Sequence, residues 1–291
     1  MAAVATQAIR GYVALTKPRI LLLVIFTGLP VMGMAGSGWP SASFATLTLL
    51  GIALAAGAAN ALNCYIERDR DALMERTRTR PLPAQELSPR SALSFGLVLS
   101  VISTALLWAV AGPVAAALGV ASILFYVFVY TVWLKPRTSM NAVIGGAAGA
   151  AAPLIADAAM HGHVTAAGWI LFSIIFFWQP PHVWAIALFR KEDYARAGIP
   201  MLPNVIGDEP TRWRMLWYTL ALIPVTLAPL PLGLLGIPYF VAALALDAWF
   251  TWYIVRVLRE RTEDAARSAF HVSLLYLFGL FVAMLIDLAL S

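Results

Sequence analysis

The chain has 291 residues, of which 61% are apolar and only 12% are charged, and its mean hydropathy is +0.80. Soluble domains carry roughly 25% charged residues, so this composition excludes a large soluble domain and indicates a helical membrane protein. The single cysteine, Cys64, excludes an intrachain disulfide and paired-cysteine zinc, redox or haem-attachment motifs. The net charge of +5 is explained by membrane topology, as shown below, so no nucleic-acid partner is expected.

Apolar runs between charged or Gly/Pro-rich breaks predict an all-α membrane protein with nine transmembrane helices. In chain order these lie at about 20–38, 42–66, 91–111, 114–134, 141–159, 165–189, 214–235, 237–258 and 268–290. Residues 1–19 are predicted to be a short amino-terminal tail, and the whole chain, 1–291, is predicted to be a single domain.

The 20 Lys and Arg residues lie only in the tail and in alternate connections. The tail holds three, and the segments 67–90, 135–140, 190–214 and 256–267 hold six, two, five and four. By the positive-inside rule these segments face the cytoplasm, so the predicted topology has the amino end inside and the carboxyl end outside. Twelve of the 15 acids share this face. The functional loops are therefore predicted to be the cytoplasmic ones, about 67–90, 135–140 and 190–213.

The second predicted helix ends in a polar stripe. If the helix continues through the motif, Asn63, Glu67 and Asp71 lie at i, i+4 and i+8 on one face, with Asn60 on the same stripe nearer the bilayer centre. Two carboxylates and an amide oxygen are hard ligands for Mg²⁺, which commonly also binds substrate phosphate. Arg76, Arg78 and Arg80 follow and supply donors for phosphate oxygens. A salt-bridged loop that only fixes topology is the alternative, but polar residues at membrane depth favour function.

A second polar group precedes the fifth predicted helix. It comprises Lys135, Arg137, Thr138 and Asn141, with Thr138 or Asn141 placed to cap that helix. Two cations at a helix amino end are typical of an anion site. Anchoring by the positive-inside rule explains the two cations equally well. The glycines that follow, Gly145, Gly146 and Gly149, are interpreted as sites of close helix packing.

The sixth predicted helix carries the third group. Pro180 and Pro181 should kink it just before His182. Polar Gln179 and His182 would then lie among aromatic side chains, including Trp178, in a site suited to a flat aromatic ligand. A purely structural histidine is the open alternative. A mixed-charge patch follows, formed by Arg190, Lys191, Glu192, Asp193 and Tyr194. In it Asp193 or Glu192 is a candidate, though doubtful, ligand for a second Mg²⁺.

Together these motifs resemble the intramembrane UbiA prenyltransferase superfamily. The resemblance rests on Asn63-x-x-x-Glu67-x-x-x-Asp71 with the Arg-Thr-Arg-Thr-Arg run, on 130–141, and on Trp178-Gln179-Pro180-Pro181-His182 followed by 193–203. It covers about residues 10–290, and the Pro-Pro-His stretch with 193–203 points to the branch that prenylates haem.

The resemblance implies nine helices around a central cavity that opens near the cytoplasmic face of a bacterial inner membrane. It also implies Mg²⁺-dependent transfer of farnesyl from farnesyl diphosphate to haem b, a substrate rather than a cofactor, to give haem O. A downstream haem A-forming enzyme is then a candidate partner, beside the lipid bilayer.

The resemblance also assigns roles to residues. Asn63, Glu67 and Asp71 match the metal–diphosphate motif. Arg76, Arg80, Lys135, Arg137 and Asn141 match its basic and polar partners. For the haem propionates, position alone makes Arg190, Lys191 and Arg196 candidates. Two departures stand out: Glu67 replaces the aspartate of many members, and the second Asp-x-x-x-Asp motif of quinone-type relatives is missing.

Two alternatives stay open. A haem transporter or carrier would also use polar residues within the membrane, although here the polar groups cluster at one face. A prenyltransferase for another aromatic acceptor, such as a quinone precursor, would share the metal site.

Overall fold

A computed structural model describes residues 2–34, 36 and 38–290, with side chains from residue 7 onward. The helices are α1 Ala2–Leu15, α2 Pro18–Gly33, α3 Ala42–Asp71, α4 Pro89–Leu124, α5 Asn141–Ile144, α6 Gly146–Gly149, α7 Ala151–His161, α8 Ala166–Phe189, α9 Lys191–Arg196, α10 Leu202–Ile206, α11 Asp208–Leu227, α12 Ile237–Glu260 and α13 Glu263–Leu290, with a π-helical segment at Phe125–Leu134. No strand occurs in the described ranges, so the all-helical prediction is confirmed.

Several helix starts follow from local chemistry. The side chains of Ser41 and Ser88 each accept a hydrogen bond from a backbone N–H three residues on, at the starts of α3 and α4. Proline occupies the first turn of α2, α4 and α12, where no intrahelical donor is needed. These signals are local, and so most helix starts were readable from the sequence.

Among the described residues, six helical stretches are long and apolar enough to cross a membrane, or seven if α1 and α2, which meet at a bend of 47°, are counted as one span. One of the six is the 46-residue stretch Pro89–Leu134. A straight helix of that length would measure roughly 69 Å, more than twice a hydrocarbon core.

The 46-residue stretch is in fact folded back on itself. Gly112, with φ of 86°, interrupts the helical conformation next to Pro113. A Cβ placed on Gly119 would lie 2.8 Å from Leu107, although twelve residues of straight helix span about 18 Å. The two halves therefore pack antiparallel, in agreement with the predicted break between 111 and 114.

Other predicted boundaries differ from the structure. Helix α2 ends at Gly33 rather than near 38, and α11 begins at Asp208 and ends at Leu227, six to eight residues before the predicted 214–235. The predicted span 141–159 corresponds to one apolar stretch, Asn141–His161, in which turn residues at Gly145 and Ala150 separate α5, α6 and α7. The predicted tail is largely helix α1, which packs through Leu15 against α3 and the start of α4.

The three acids outside the basic segments are paired within the bundle. Asp157 accepts hydrogen bonds from the backbone and hydroxyl of Thr165, at 2.5 and 3.0 Å, and so closes the α7–α8 turn. Asp287 accepts from the backbone N–H groups of Gly236 and Tyr239 at the start of α12. Asp247 accepts from Thr226 and Tyr276 and thereby joins α11, α12 and α13. These carboxylates stabilise helix packing, since a buried polar group without partners is costly.

One end of the helical bundle is formed by polar connections that are rich in basic residues, and we call it the basic end. These connections are 72–88, 135–140, 190–207 and 261–262. Contacts between them include the backbone N–H of Glu75 with Asp193 and the Arg261 guanidinium with Glu209. Inside the bundle, a cavity of about 110 Å³ lies between α2, α3 and α7 and reaches Asn60 and Tyr126.

Replacing Gly168 by Ala should destabilise the protein, because a Cβ at this position would lie 2.5 Å from Asp157 Oδ2 and push that carboxylate off Thr165. We expect a loss of about 1–3 kcal/mol, typical of overpacking. Thermal unfolding in detergent measures it, with the exposed Ala166→Ser as a control in the same turn. A G168A variant as stable as the control would contradict this account of the turn.

Candidate active site

The polar stripe of α3 lies on a continuous helix. Helix α3 extends without interruption to Asp71, so the condition set in the sequence analysis is met, and Asn63, Glu67 and Asp71 share a face. Their side chains are 1%, 2% and 1% exposed. Burying two carboxylates this completely requires compensating charge.

Three cations supply that charge, one for each residue of the stripe. Lys17 Nζ donates to Asn63 Oδ1 at 2.9 Å. Lys135 Nζ lies 2.6 Å from the Glu67 carboxylate. Arg80 Nη1 donates to Asp71 Oδ2 at 2.7 Å.

These three cations come from three separate parts of the chain, the α1–α2 break, the 135–140 connection and the loop after α3. The site is therefore assembled by the tertiary fold rather than by one loop.

Lys17 is the functional residue that the sequence reasoning missed, since it was counted only as a topological charge. It adopts a left-handed backbone conformation, with φ of 56° and ψ of 66°, at the break between α1 and α2. The following Pro18 begins α2 and explains the break. The signal in the sequence was a lysine directly before a proline at the start of an apolar run, which places a long cationic side chain at a bend.

Ion pairing controls the protonation of Arg80 and Lys135. Burial opposes charge on the Arg80 guanidinium, but the Asp71 carboxylate outweighs it and raises the pKa of Arg80. Burial likewise opposes charge on Lys135, but Tyr130 and the Glu67 carboxylate outweigh it and raise the pKa of Lys135 above its ordinary value. Both side chains stay cationic, as an anion site requires.

Lys135 reaches Glu67 because of the π-helical segment before it. Within this segment the Thr131 hydroxyl donates to the carbonyl of Tyr126 at 2.8 Å, and Thr131 Oγ1 accepts from Asn63 Nδ2 at 3.1 Å. The backbone N–H of Lys135 donates to the carbonyl of Tyr130, five residues back. Short π-helical turns occur frequently at functional sites, and here the turn aims two polar side chains at α3.

The other residues of the second predicted cluster turn away from the stripe. Arg137 is exposed and donates to the carbonyls of Val132 and Trp133, so it closes the π-helical segment rather than facing α3. Asn141 is buried and donates from its amide to the Thr138 carbonyl, whereas Thr138 Oγ1 accepts from the Met140 backbone. Neither side chain caps the next helix, because the Thr138–Asn141 turn satisfies them locally.

Some oxygens of the stripe fit a divalent cation. Asp71 Oδ1 is buried and has no hydrogen-bond partner in the part of the chain that the structure describes, whereas both Glu67 oxygens lie 2.6 Å from Lys135 Nζ and would be shared with it. Together with the amide oxygen of Asn63 they are the hard donors that Mg²⁺ prefers. Among the described residues, no three His, Cys, Asp or Glu side chains come close enough to hold a metal unaided. A phosphate-bearing ligand would therefore have to complete the coordination.

The third predicted group reaches the same end of the bundle. Asp193 is buried, and its Oδ1 accepts from Arg196 and from the backbone N–H of Glu75 at 3.3 Å, which ties the loop after α8 to the loop after α3. Its Oδ2 is buried without a hydrogen-bond partner among the described residues. Tyr194 packs with Met74 in a small apolar cluster.

Of the remaining predicted basic and polar residues, one is exposed to solvent and the others contact an acid or a backbone carbonyl. Arg76 is exposed. Lys191 Nζ donates to Asp208 at 2.9 Å, and Arg190 Nη1 lies 3.9 Å from Asp193 Oδ2. Asn60 donates to the carbonyl of Thr16 at 3.1 Å, beside the Lys17 bend.

The residues around the double proline form a packed aromatic group. The His182 ring is stacked between Trp178 and Phe270, at centroid distances of 4.5 and 4.7 Å. Its Nδ1 lies 2.6 Å from Ser273 Oγ, and Trp178 Nε1 donates to the Ser273 carbonyl at 2.8 Å. Helix α8 continues through both prolines to Phe189, so the expected kink does not end it.

The Gln179 side chain packs away from the His182 ring, against the glycines of α6. A Cβ on Gly146 or Gly149 would lie 2.9 or 2.6 Å from its amide, and one on Gly145 would lie 2.1 Å from the Tyr130 ring. The interpretation of these glycines as close-packing positions agrees with this geometry.

Comparisons with known proteins identify the family of the chain. A model of the UbiA prenyltransferase family matches residues 21–283. The protoheme IX farnesyltransferase of Symbiobacterium thermophilum is 47% identical over 283 residues, 97% of this chain and 95% of the relative. That of Acidiphilium cryptum is 48% identical over 286 residues, 95% of this chain and 90% of the relative.

Solved structures share the fold. A digeranylgeranylglyceryl phosphate synthase structure aligns with a TM-score of 0.81 at 16% identity, covering 97% of this chain and 99% of that one. A UbiA homologue from Archaeoglobus fulgidus bound to DMAPP and Mg²⁺ aligns with a TM-score of 0.68 at 19% identity, covering 94% and 98%. At these identities the likeness concerns the fold alone.

Substituting Lys135 by Met should destabilise the metal-free protein by about 3–5 kcal/mol, because it leaves the buried Glu67 carboxylate unpaired. The double variant Glu67→Gln, Lys135→Met should recover most of this loss, since it removes both charges. Denaturant unfolding in detergent with chelator measures the difference, and Arg90→Met, at an exposed position, is the control. Equal stability of the single variant and the control would show that the pair is not needed to bury Glu67.

Proposed function

This chain is a member of the UbiA prenyltransferase family, and from that premise we propose that it is a protohaem IX farnesyltransferase, or haem O synthase. It transfers the farnesyl group of farnesyl diphosphate, with addition of water, to a vinyl group of haem b and releases haem O and diphosphate. The observation that carries the proposal is the buried stripe Asn63, Glu67 and Asp71, each residue in contact with one cation.

The residues of the stripe fit the first substrate. Diphosphate is an anion that forms charge-assisted hydrogen bonds with ammonium and guanidinium groups. Lys17, Arg80 and Lys135 already face one small region and would turn their donors from α3 to the diphosphate oxygens when it binds. These cations stabilise the charge that develops on the leaving group as its bond to the allylic carbon breaks.

Mg²⁺ is the cofactor we propose, held by Glu67 and Asp71 with Asn63, and it would supply charge neutralisation at the diphosphate. The unpartnered Oδ1 of Asp71 supports this assignment. Asp193 Oδ2 also lacks a hydrogen-bond partner among the described residues. However, Arg196 and Arg190 already neutralise this carboxylate, which disfavours a second metal ion there.

Arg76 and Arg137 are both exposed. A role for either at the diphosphate requires its side chain to turn toward α3.

The apolar bundle fits the rest of the reaction. The haem vinyl group attacks the allylic cation, and water then adds to the carbon that becomes cationic beside the porphyrin. The apolar and aromatic walls next to Asn60, including Tyr126, exclude bulk water from the isoprenoid and so protect the first cation from premature quenching.

His182 is suited to bind the acceptor. The Ser273 hydroxyl donates its one hydrogen to the Phe270 carbonyl at 2.6 Å, so the contact with Ser273 requires His182 to donate from Nδ1. The lone pair of Nε2 is then available, and a neutral imidazole with this tautomer is the usual haem iron ligand. Trp178 and Phe270 hold the ring plane, whereas Gln179 packs against Gly146 and Gly149 instead.

The proposed topology has nine spans with the amino end in the cytoplasm. It counts Pro89–Leu134 as two helices, because the chain reverses at Gly112, and counts α11 as a span despite its charged first turns. The basic end then lies at the cytoplasmic face of a bacterial inner membrane. Haem O leaving such a site would be taken up by a haem A-forming enzyme as the next partner.

The test of this function is to incubate the purified protein in liposomes with haem b, farnesyl diphosphate and Mg²⁺ and identify the porphyrin by mass spectrometry. We expect a product heavier by one farnesyl group and one hydroxyl group, because the added water loses a proton. Chelator or Asp71→Asn should abolish it, while Asp69→Asn, an exposed neighbour, should not. Prenylation of a quinone precursor instead would overturn the acceptor, and no prenylation of any acceptor would favour a carrier.

Substituting His182 by Ala should impair the use of haem rather than of farnesyl diphosphate. We expect a shifted Soret band of bound haem and a higher KM for haem b, with the KM for farnesyl diphosphate changed less than twofold. Ser273→Ala, which removes the partner of Nδ1, should give a smaller change in the same direction. If His182→Ala has the same haem spectrum and the same KM for haem b as the wild type, then His182 only packs between its aromatic neighbours and does not bind haem.

A further inference from the structure

A second polar pocket lies at the basic end, apart from the α3 stripe. Its volume is about 410 Å³, and it is bounded by the end of α8, by α9, by the start of α11 and by the turn between α12 and α13. Five cationic side chains line it, and the sequence reasoning considered only those of the 190–196 segment.

Five acidic side chains line the pocket as well, but among the described residues only two of them, Asp193 and Asp208, form ion pairs with its cations. Asp193 is shared by Arg196 and Arg190, and Asp208 is shared by Lys191 and Arg212. In each group one cation is close and the other is not: Arg190 lies 3.9 Å from Asp193 and Arg212 lies 3.8 Å from Asp208, both beyond hydrogen-bond distance.

Arg212 has unused hydrogen-bonding capacity. Its side chain is only 12% exposed, and its Nε is buried without a hydrogen-bond partner among the described residues. Its one hydrogen bond is a long one, 3.4 Å from Nη2 to the Arg261 carbonyl. A buried guanidinium donor left unpaired costs free energy that an incoming anion would recover.

An aromatic path connects this pocket to the proposed acceptor site. Phe189 lines the pocket and lies 6.0 Å from Phe270, which in turn stacks on His182 at 4.7 Å. Seven residues of α8 separate His182 from Phe189, a rise of about 10.5 Å. A flat ring bound at His182 would therefore extend its edge toward the pocket.

We propose that Arg190 and Arg212 bind the two propionate carboxylates of haem b while the porphyrin lies along the Phe270 and Phe189 side chains. This inference rests on the proposed function and assigns Arg212 a substrate-binding role. Two loosely held guanidinium groups match two carboxylates, and each can form paired hydrogen bonds with one of them. A lipid phosphate would satisfy the same donors, so the test separates the two anions.

The test compares haem b with its dimethyl ester, in which both carboxylates are neutral. Binding is followed by the Soret band and turnover by product formation, in nanodiscs of zwitterionic lipid. We expect Arg212→Gln to raise the Kd and KM for haem b about tenfold or more, the range for loss of a charged hydrogen bond. The KM for farnesyl diphosphate and the binding of the ester should stay within twofold.

The matched control is Arg214→Gln, which removes an exposed charge two residues along the same helix. Arg212→Lys should fall between wild type and Arg212→Gln, because it keeps the charge and loses the planar pair of donors. Unchanged haem b affinity in Arg212→Gln would overturn the inference, as would an equal loss for haem b and its ester, which indicates a lipid-binding or packing role. Failure of the wild type to prenylate haem b would overturn the proposed function instead, since the binding comparison needs no turnover.

Discussion

The structure depends on the burial of two carboxylates at the end of α3. Glu67 and Asp71 are almost inaccessible, and the free-energy cost of burying them is offset by Lys135 and Arg80. To bring these cations in, the chain adopts a π-helical turn before Lys135 and folds the loop after α3 back onto that helix. Two irregular features of the fold thus serve one electrostatic requirement, and the bend at Lys17 adds a third cation beside Asn63.

The same requirement makes the site responsive to its ligand. The free-energy cost of removing these cations from water is already offset by their carboxylate partners in the folded protein. Exchanging a carboxylate for a diphosphate oxygen therefore costs less free energy than taking a hydrated cation out of water. The unpartnered Oδ1 of Asp71 complements this arrangement, because it favours a divalent cation at the carboxylate oxygen that Arg80 does not contact. Binding of metal and diphosphate would then be mutually supportive.

Much of the site followed from the sequence, because its strongest signal is periodic. The i, i+4 spacing of Asn63, Glu67 and Asp71 needed only a continuous helix, and basic residues in alternate connections indicated which ends meet. Lys17 and Arg212 were missed, since their roles arise from a bend and from a shared acid, neither of which is local. Arg137 was expected at the anion, but the carbonyls left open by the π-helical turn bind it instead. The ends of α2 and α11 were misplaced because apolar composition continues into the turns.

The π-helical turn also sets a constraint on sequence change. In this segment the backbone N–H groups bond to carbonyls five residues back rather than four. If the same ten residues, Phe125–Leu134, wound as an α-helix, every later side chain would be rotated about the helix axis relative to α3. Lys135 would then point away from Glu67 although every residue type of the motif was retained. Substitutions that favour a regular α-helix here would therefore displace the cation without replacing it.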